Sequence, residues 1–543
     1  MTANTPLRLL LALLVTGSLA SQVQAQAGSG SAPAAGVLLP QNFGSGQRWR
    51  LDSPAGQPWI PRSVAFAARG ELVWSGPSIA NPNLLLASTA GDSSTAVLFQ
   101  DSSPVGAIGP VEVCAGDEPG ELFSALQFPN GSARTSLVLR HDPRPSALTG
   151  DAFVATWNYS PGVLTDRPSM IECGPRADVL VVATYDGAAV QVDWIDPSDG
   201  ARLARVSVAG TGLSALSLSE STDRVALLAG LDLWVIDRAG TTWHHEQVAA
   251  GTSALALSED GSTLVYGDFG LVHLLRANAV GYLEVTGVAG QPTELPTQVA
   301  LDESGASLAV GWWRFTTGVD VRLEVWDLVQ ATRLVLREQL GSTAGYQNFP
   351  EAVELSADGS RAAFGLWGLQ DAQPELYLID VPTDTDRLAF DLPGSVRALA
   401  LDETGTRVAL GLKDGHANEF GTTGSVTLLD TGERDLQLLT PPVRGGKLSV
   451  ATSFPGQLYT VVLLGEESSA GSTVSGWSGL NWIDTSKPFL WRGAVPDGNG
   501  FSTRSLKLPN SPSLVGLVLT VQAIFVTGTA VHFSDELLHP VIL

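Results

Sequence analysis

One phrase recurs five times along this chain, and it constrains the fold more than any other feature. It reads LSLSESTDRVALLA from Leu216, LALSEDGSTLVYGD from Leu255, VALDESGASLAVGW from Val299, VELSADGSRAAFGL from Val353 and LALDETGTRVALGL from Leu399. The corresponding leucines, Leu218, Leu257, Leu301, Leu355 and Leu401, lie 39, 44, 54 and 46 residues apart. In the copy at Leu255, Leu255 and Leu257 alternate with Ala254 and Ala256, a period of two that specifies a strand. The turn SEDGS follows, rich in residues that bend a chain, and TLVYG returns as a second strand. GLVHLLRA and YLEVTGV supply a third and a fourth. The third strand has its own signature: VDWID to Asp196, LWVID to Asp237, LEVWD to Asp327, LYLID to Asp380 and VTLLD to Asp430, with the copy ending at Arg276 breaking the rule.

Four antiparallel strands repeated at this period predict an all-β chain built as a β-propeller. Degenerate copies at about 62–105, 110–160 and 170–209 bring the count to eight blades, or seven if two weak segments merge. QRWRLD, residues 47–52, is the candidate closing strand. Ser217, Ala256, Ala300 and Ala400 are small at one shared position, which suits crowded innermost strands; Glu354 breaks that register. A carboxylate there is either solvated or paired, and pairing is the reading taken. SEDGS or SADGS before an apolar strand, with VWD or WID closing the third strand, resembles the WD-like and related propeller repeats of exported bacterial proteins, over residues 170–440. The tail differs. PDGNG (496–500), LPNSPSLVGL (508–517) and VQAIFV (521–526) resemble a small C-terminal β module of secreted planctomycete and myxobacteria-like proteins, which implies a β-sandwich over 446–543. The expected organisation is therefore a signal peptide (1–25), a flexible lead-in (26–46), a propeller (47–445) and that module.

The leader is read from Arg8, the apolar stretch LLLALLVTGSLA (9–20) and the small-residue site Val23-Gln24-Ala25, with cleavage expected after Ala25. That places the mature chain in the periplasm or outside the cell. No later apolar run is long and clean enough to span a bilayer. The net charge is −24 and the chain has four lysines, which excludes the basic footprint of nucleic-acid binding. Cys114 and Cys173 are the only cysteines. In an exported chain an even count points to a disulfide, and two buried free thiols are the alternative; both cysteines end candidate innermost strands.

No motif for a catalytic nucleophile, a phosphate loop or a metal site is present, so catalytic residues stay unassigned and neither a metal nor a cofactor is expected. The turn carboxylates sit one per repeat, too dispersed for calcium, and bonding to their own turn backbone is the better account. His244-His245-Glu246 has adjacent residues, which point to opposite faces of a strand. The long loops are richer: Trp312, Trp313, Arg314 and Phe315, then Tyr346, Asn348 and Phe349, then Trp367 and Asp371, then His416. Aromatic and Arg side chains dominate interface hot spots. The expected ligand-binding set is Trp312, Trp313, Arg314, Tyr346, Phe349, Trp367, Asp371 and His416, on one face, with Trp313, Trp367 and Tyr346 partly exposed. The function expected from this is binding or scaffolding by an exported propeller, with an extracellular protein or glycan as partner. The alternative is a polysaccharide-active hydrolase or lyase using carboxylates at the channel mouth.

Overall fold

A computed structural model describes residues 46–542, apart from connecting segments such as 53–58, 78–84, 90–96, 144–152 and 475–480. The leader, Phe315 and Asp371 lie outside the described residues.

The four-stranded antiparallel unit read from the repeat is what the chain builds. In order, the sheets begin at the strands Pro61–Ala67, Ile108–Ala115, Met170–Cys173, Ala215–Ser219, Leu255–Leu257, Leu295–Leu301, Pro350–Leu355 and Val396–Leu401. Each of these first strands pairs with the next strand in sequence. The sheet starting at Val396–Leu401 continues through Arg407–Lys413 and Gly424–Asp430, and takes its fourth strand from Gly46–Asp52, with Arg50 opposite Thr427. The first strands of successive sheets lie against one another, and Val396–Leu401 also lies against Pro61–Ala67.

Side chains of the repeated turn explain why the hairpin forms where it does. Asp260 Oδ1 accepts from the Ser262 N–H at 2.8 Å and the Ser258 hydroxyl at 2.6 Å; Asp358 Oδ1 accepts from the Ser360 N–H at 2.9 Å and the Ser356 hydroxyl at 2.8 Å. Asp402 Oδ1 accepts from the N–H groups of Thr406 and Arg407 at 2.8 and 3.0 Å. These carboxylates mimic a backbone turn, as short polar side chains do. The glycine that follows is required: Gly305 and Gly405 have φ of +65° and +68°, a region costly for residues bearing a Cβ. A Cβ at Gly405 would also run into the side chain of Arg361.

Both faces of these sheets are apolar, and neighbours cover them. Val181, Val192 and Trp194 of one sheet share a core with Leu216, Val225 and Leu227 of the next. Leu323 and Val325 do the same with Phe364 and Ile379.

The closed propeller of eight or seven blades and the C-terminal sandwich are corrected. Among the described residues, hydrogen bonding defines separate, small, open antiparallel sheets, with no ladder continuing from one sheet into the next. The C-terminal segment forms further sheets of three, four and two strands, which include Leu436–Thr440, Tyr459–Gly465 and Glu467–Ser472. The resemblances to WD-like propellers and to the planctomycete-type module are corrected with them. The phrases that carried them encode a strand, a turn and a returning strand. That is local information, shared by any antiparallel unit of this length, and it does not specify how units combine.

Asp402 also holds Arg407, whose Nε donates to Oδ2 at 2.8 Å, and the two side chains are 2% and 1% exposed. Removing one partner of such a pair strands a buried charge. Asp402→Ala is expected to cost about 3 kcal/mol, read as a lower urea midpoint with an unchanged slope; Asp52→Ala, in an exposed pair with Arg50, should cost under about 1 kcal/mol.

Candidate functional site

The first strands enclose a cavity of about 680 Å3, within the range usual for small-molecule sites. One end is formed by the turns that leave these strands. They are stitched together: the Glu303 N–H donates to the Ala357 carbonyl at 3.1 Å, and the Ala357 N–H to the Glu403 carbonyl at 3.2 Å. The other end lies at the strand starts, where Glu351 bridges Arg62 (3.4 Å) and Arg397 (3.1 Å).

Among the described residues, the lining carries seven carboxylates, Glu112, Glu172, Glu259, Asp302, Glu303, Glu354 and Glu403, against a single cation, Arg62. Three of these accept from backbone N–H groups: Glu112 from Ile171 at 3.3 Å, Glu259 from Ser221 at 3.0 Å and Asp302 from Ser307 at 2.9 Å. Glu354 has no ion-pair partner among the described residues, so the pairing expected from sequence is not what the structure contains. The residue is exposed to the solvent of the cavity it lines, with protein crowded on the remaining sides.

Enclosure disfavours the charged form of these groups. Burial pushes Glu354 up to about 7. Glu112 is also raised to about 7 by burial, opposed by the Ile171 N–H and by Arg62. Glu172 reaches about 8, through burial first and then the charges of Glu112 and Glu354. Glu172 is therefore the carboxyl of this tier that feels the charges of the other two. At the turn end, burial and the neighbouring charges of Glu403, Asp302 and Asp358 raise Glu303.

Glu172 and Glu354 share a register. They pair with Val181 and Ala363 just as Ser217, Ala300 and Ala400 pair with Ala226, Ala309 and Ala409. Sequence reading found Glu354 and missed Glu172 and Glu112. Aligning MIEC with the repeat would have exposed Glu172.

The loop aromatics gather only in part. Trp313, Phe349, Trp367, His416 and Tyr346 form a run of ring contacts, with centroids 5.3 Å (Trp313–Phe349), 4.8 Å (Phe349–Trp367), 6.4 Å (Trp367–His416) and 4.6 Å (Tyr346–His416) apart. Trp313, Tyr346, Phe349 and Trp367 are half-buried. Trp312 stands apart: it is fully buried, and its Nε1 donates to Glu324 at 2.9 Å. Arg314 turns to Gln291, donating at 2.8 Å. His416 is buried and its Nε2 contacts the carbonyls of Gly368 and Gln347 at 3.0 and 3.1 Å, so its ring is held as part of the loop framework. Trp367 and His416 also line a second cleft of about 380 Å3 with Glu375 and Asp391. Trp367 Nε1 donates to Glu351 at 2.9 Å and Arg397 sits 5.3 Å from its ring, so this cluster adjoins the arginine end of the cavity.

The disulfide is corrected. Cys114 and Cys173 lie on adjacent first strands, 2.9 Å apart, and do not form a true disulfide. His244 and Glu246 lie on the edge strand Thr242–Gln247. Among the described residues no group of three or more His, Cys, Asp or Glu side chains could hold a metal ion, and no helix is long and apolar enough to cross a membrane. No family model and no curated protein matches this chain. The two functions expected from sequence, recognition through a propeller's loop face and polysaccharide cleavage at its channel mouth, both required a closed propeller and are corrected with it.

A carboxyl that holds its proton more tightly in the folded chain stabilises the fold below its unfolded pKa. That contribution is lost as pH rises through the folded value. For Glu112, Glu172 and Glu354 the window runs from the ordinary carboxyl value of 4.5 to about 8. Thermal melts should therefore show Tm falling across this range, and Glu172→Gln should flatten the fall and raise Tm at its alkaline end. An unchanged profile in the variant would show that Glu172 is not enclosed as described.

Proposed function

We propose that this protein binds a linear organic oligoamine in the cavity between its first strands. The observation that carries this reading is the lining: seven carboxylates and one guanidinium around about 680 Å3. A cation is the ligand that relieves such a concentration of like charge, because the interaction strengthens where protein replaces water. The carboxylates are distributed from the Glu112, Glu172 and Glu354 tier to Glu303 and Glu403 at the turn end. That spread does not suit one metal ion, which needs its ligands converging on a point. It suits a flexible chain with ammonium groups at intervals. The half-buried Trp313, Tyr346 and Trp367 would form the rim by which the ligand enters, since aromatic faces attract cations. The leader-like segment supports a secreted or periplasmic location, in which the ligand is taken from outside the cytoplasm.

Binding must strip protons from carboxyls whose pKa values are raised, so affinity should climb with pH. Titration calorimetry with spermidine at low salt should show one site per chain, tightening about tenfold or more between pH 6 and 8 as the protonated fraction falls. Proton release should appear as a dependence of the heat on the buffer. Glu172→Gln and Glu354→Gln should each weaken binding. Failure of spermidine to bind, or wild-type affinity in both variants, would remove the proposal.

A further inference from the structure

We propose that the run of rings in the loops conducts an electron hole from Trp313 to Tyr346, where it ends as a phenoxyl radical at the surface. The rings come from separate stretches of chain. Trp313 ends the strand Ser307–Trp313, Tyr346 opens the strand Tyr346–Gln347, and Phe349 precedes Pro350–Leu355. Trp367 follows Arg361–Leu366, and His416 lies beyond Arg407–Lys413. Successive centroids are 4.6 to 6.4 Å apart, the separations of aromatic rings in contact, and electron tunnelling falls steeply once contact is lost. His416 fixes the spacing. Its Nε2 donates to the carbonyls of Gln347 and Gly368, the residues after Tyr346 and Trp367, and its Nδ1 accepts from the Asn418 N–H at 3.1 Å.

The order of the rings gives the run a direction. Indole and phenol lose an electron more readily than a phenyl or imidazole ring, so Phe349 and His416 act as bridges between three hole-bearing positions. A one-electron oxidant takes an electron from Trp313 and leaves a radical cation. Trp367 returns that electron and becomes the cation in its place. The Arg397 guanidinium, 5.3 Å from the Trp367 ring, disfavours positive charge there. Glu351, which accepts from Trp367 Nε1 at 2.9 Å, is already shared by Arg62 and Arg397. The hole therefore passes on. Tyr346 gives its electron to Trp367, and its hydroxyl proton crosses the 2.7 Å hydrogen bond to Glu419. In sum the oxidant gains one electron, both indoles are restored, and a neutral phenoxyl radical stands beside a protonated Glu419. Tyr346 is half-buried, so a soluble reductant reaches it and returns the electron. This chemistry uses none of the cavity carboxylates and stands whether or not an amine binds.

The test is pulse radiolysis of the full chain with azide radical, which takes one electron from tryptophan and leaves as azide. The tryptophanyl absorption should decay as the tyrosyl absorption rises, in a first-order phase whose rate does not change with protein concentration. Tyr346→Phe and Trp367→Phe should each lose this phase, and Tyr185→Phe, outside the run, should keep it. A nitroso spin trap followed by peptide mass mapping of the wild type should place the adduct on Tyr346; this readout needs no variant to fold. Absence of the phase, or a rate proportional to protein concentration, would overturn the proposal. So would retention of the phase in Tyr346→Phe or Trp367→Phe, or wild-type adducts only on other tyrosines.

Discussion

Each four-stranded sheet here is apolar on both faces, and the structure depends on neighbouring sheets covering those faces. Trp194 with Val181 and Val192 on one side of an interface meets Leu216 and Leu227 on the other; comparable interfaces follow at Leu264 with Leu228, at Val310 with Val265, and at Leu410 with Ala363. At about 25 cal/mol per Å2 of apolar surface removed from water, covering such faces is the main favourable term. A solitary unit would leave both faces wet. The turn carboxylates and glycines decide where each hairpin bends, but they act within a unit already required to pack.

That packing demand creates the site. First strands from different sheets approach one another, and small residues, Ser217, Ala300 and Ala400, occupy one shared register position on them. Glu172 and Glu354 take the same register with long, ionisable side chains. No packing argument favours carboxylates there. Their presence raises the electrostatic cost of the empty cavity, and this cost is what a cationic ligand would remove. The opposite arrangement, at Asp402 and Arg407, shows the chain pairing a buried carboxylate when the role is structural.

The strands of the five clear repeats were legible because period-two alternation and turn chemistry are local. The relation between sheets was not, because the interfaces join residues far apart in sequence, and apolar side chains carry no address. The site was less legible still. Glu354 stood out against alanine in well-preserved copies, whereas Glu172 sits in a copy too worn for the contrast to show. The aromatic loops drew attention through composition, yet composition does not separate Trp313, half-buried among other rings, from Trp312 beside it, fully buried and bonded to Glu324. Adjacent positions on a strand face opposite sides, and the split between these two tryptophans follows from that.

The pairing of Gly46–Asp52 with Gly424–Asp430 has a consequence in time. A ribosome delivers the first of these strands long before the second, so the early strand must wait, unpaired, through the synthesis of almost every sheet. Its edge is exposed throughout that interval, and exposed edges recruit other chains. Pairings this distant also close late, since the loop entropy must be spent before any contact repays it. Among the described strand pairs this one spans the longest stretch of chain, so it carries the largest loop-closure cost.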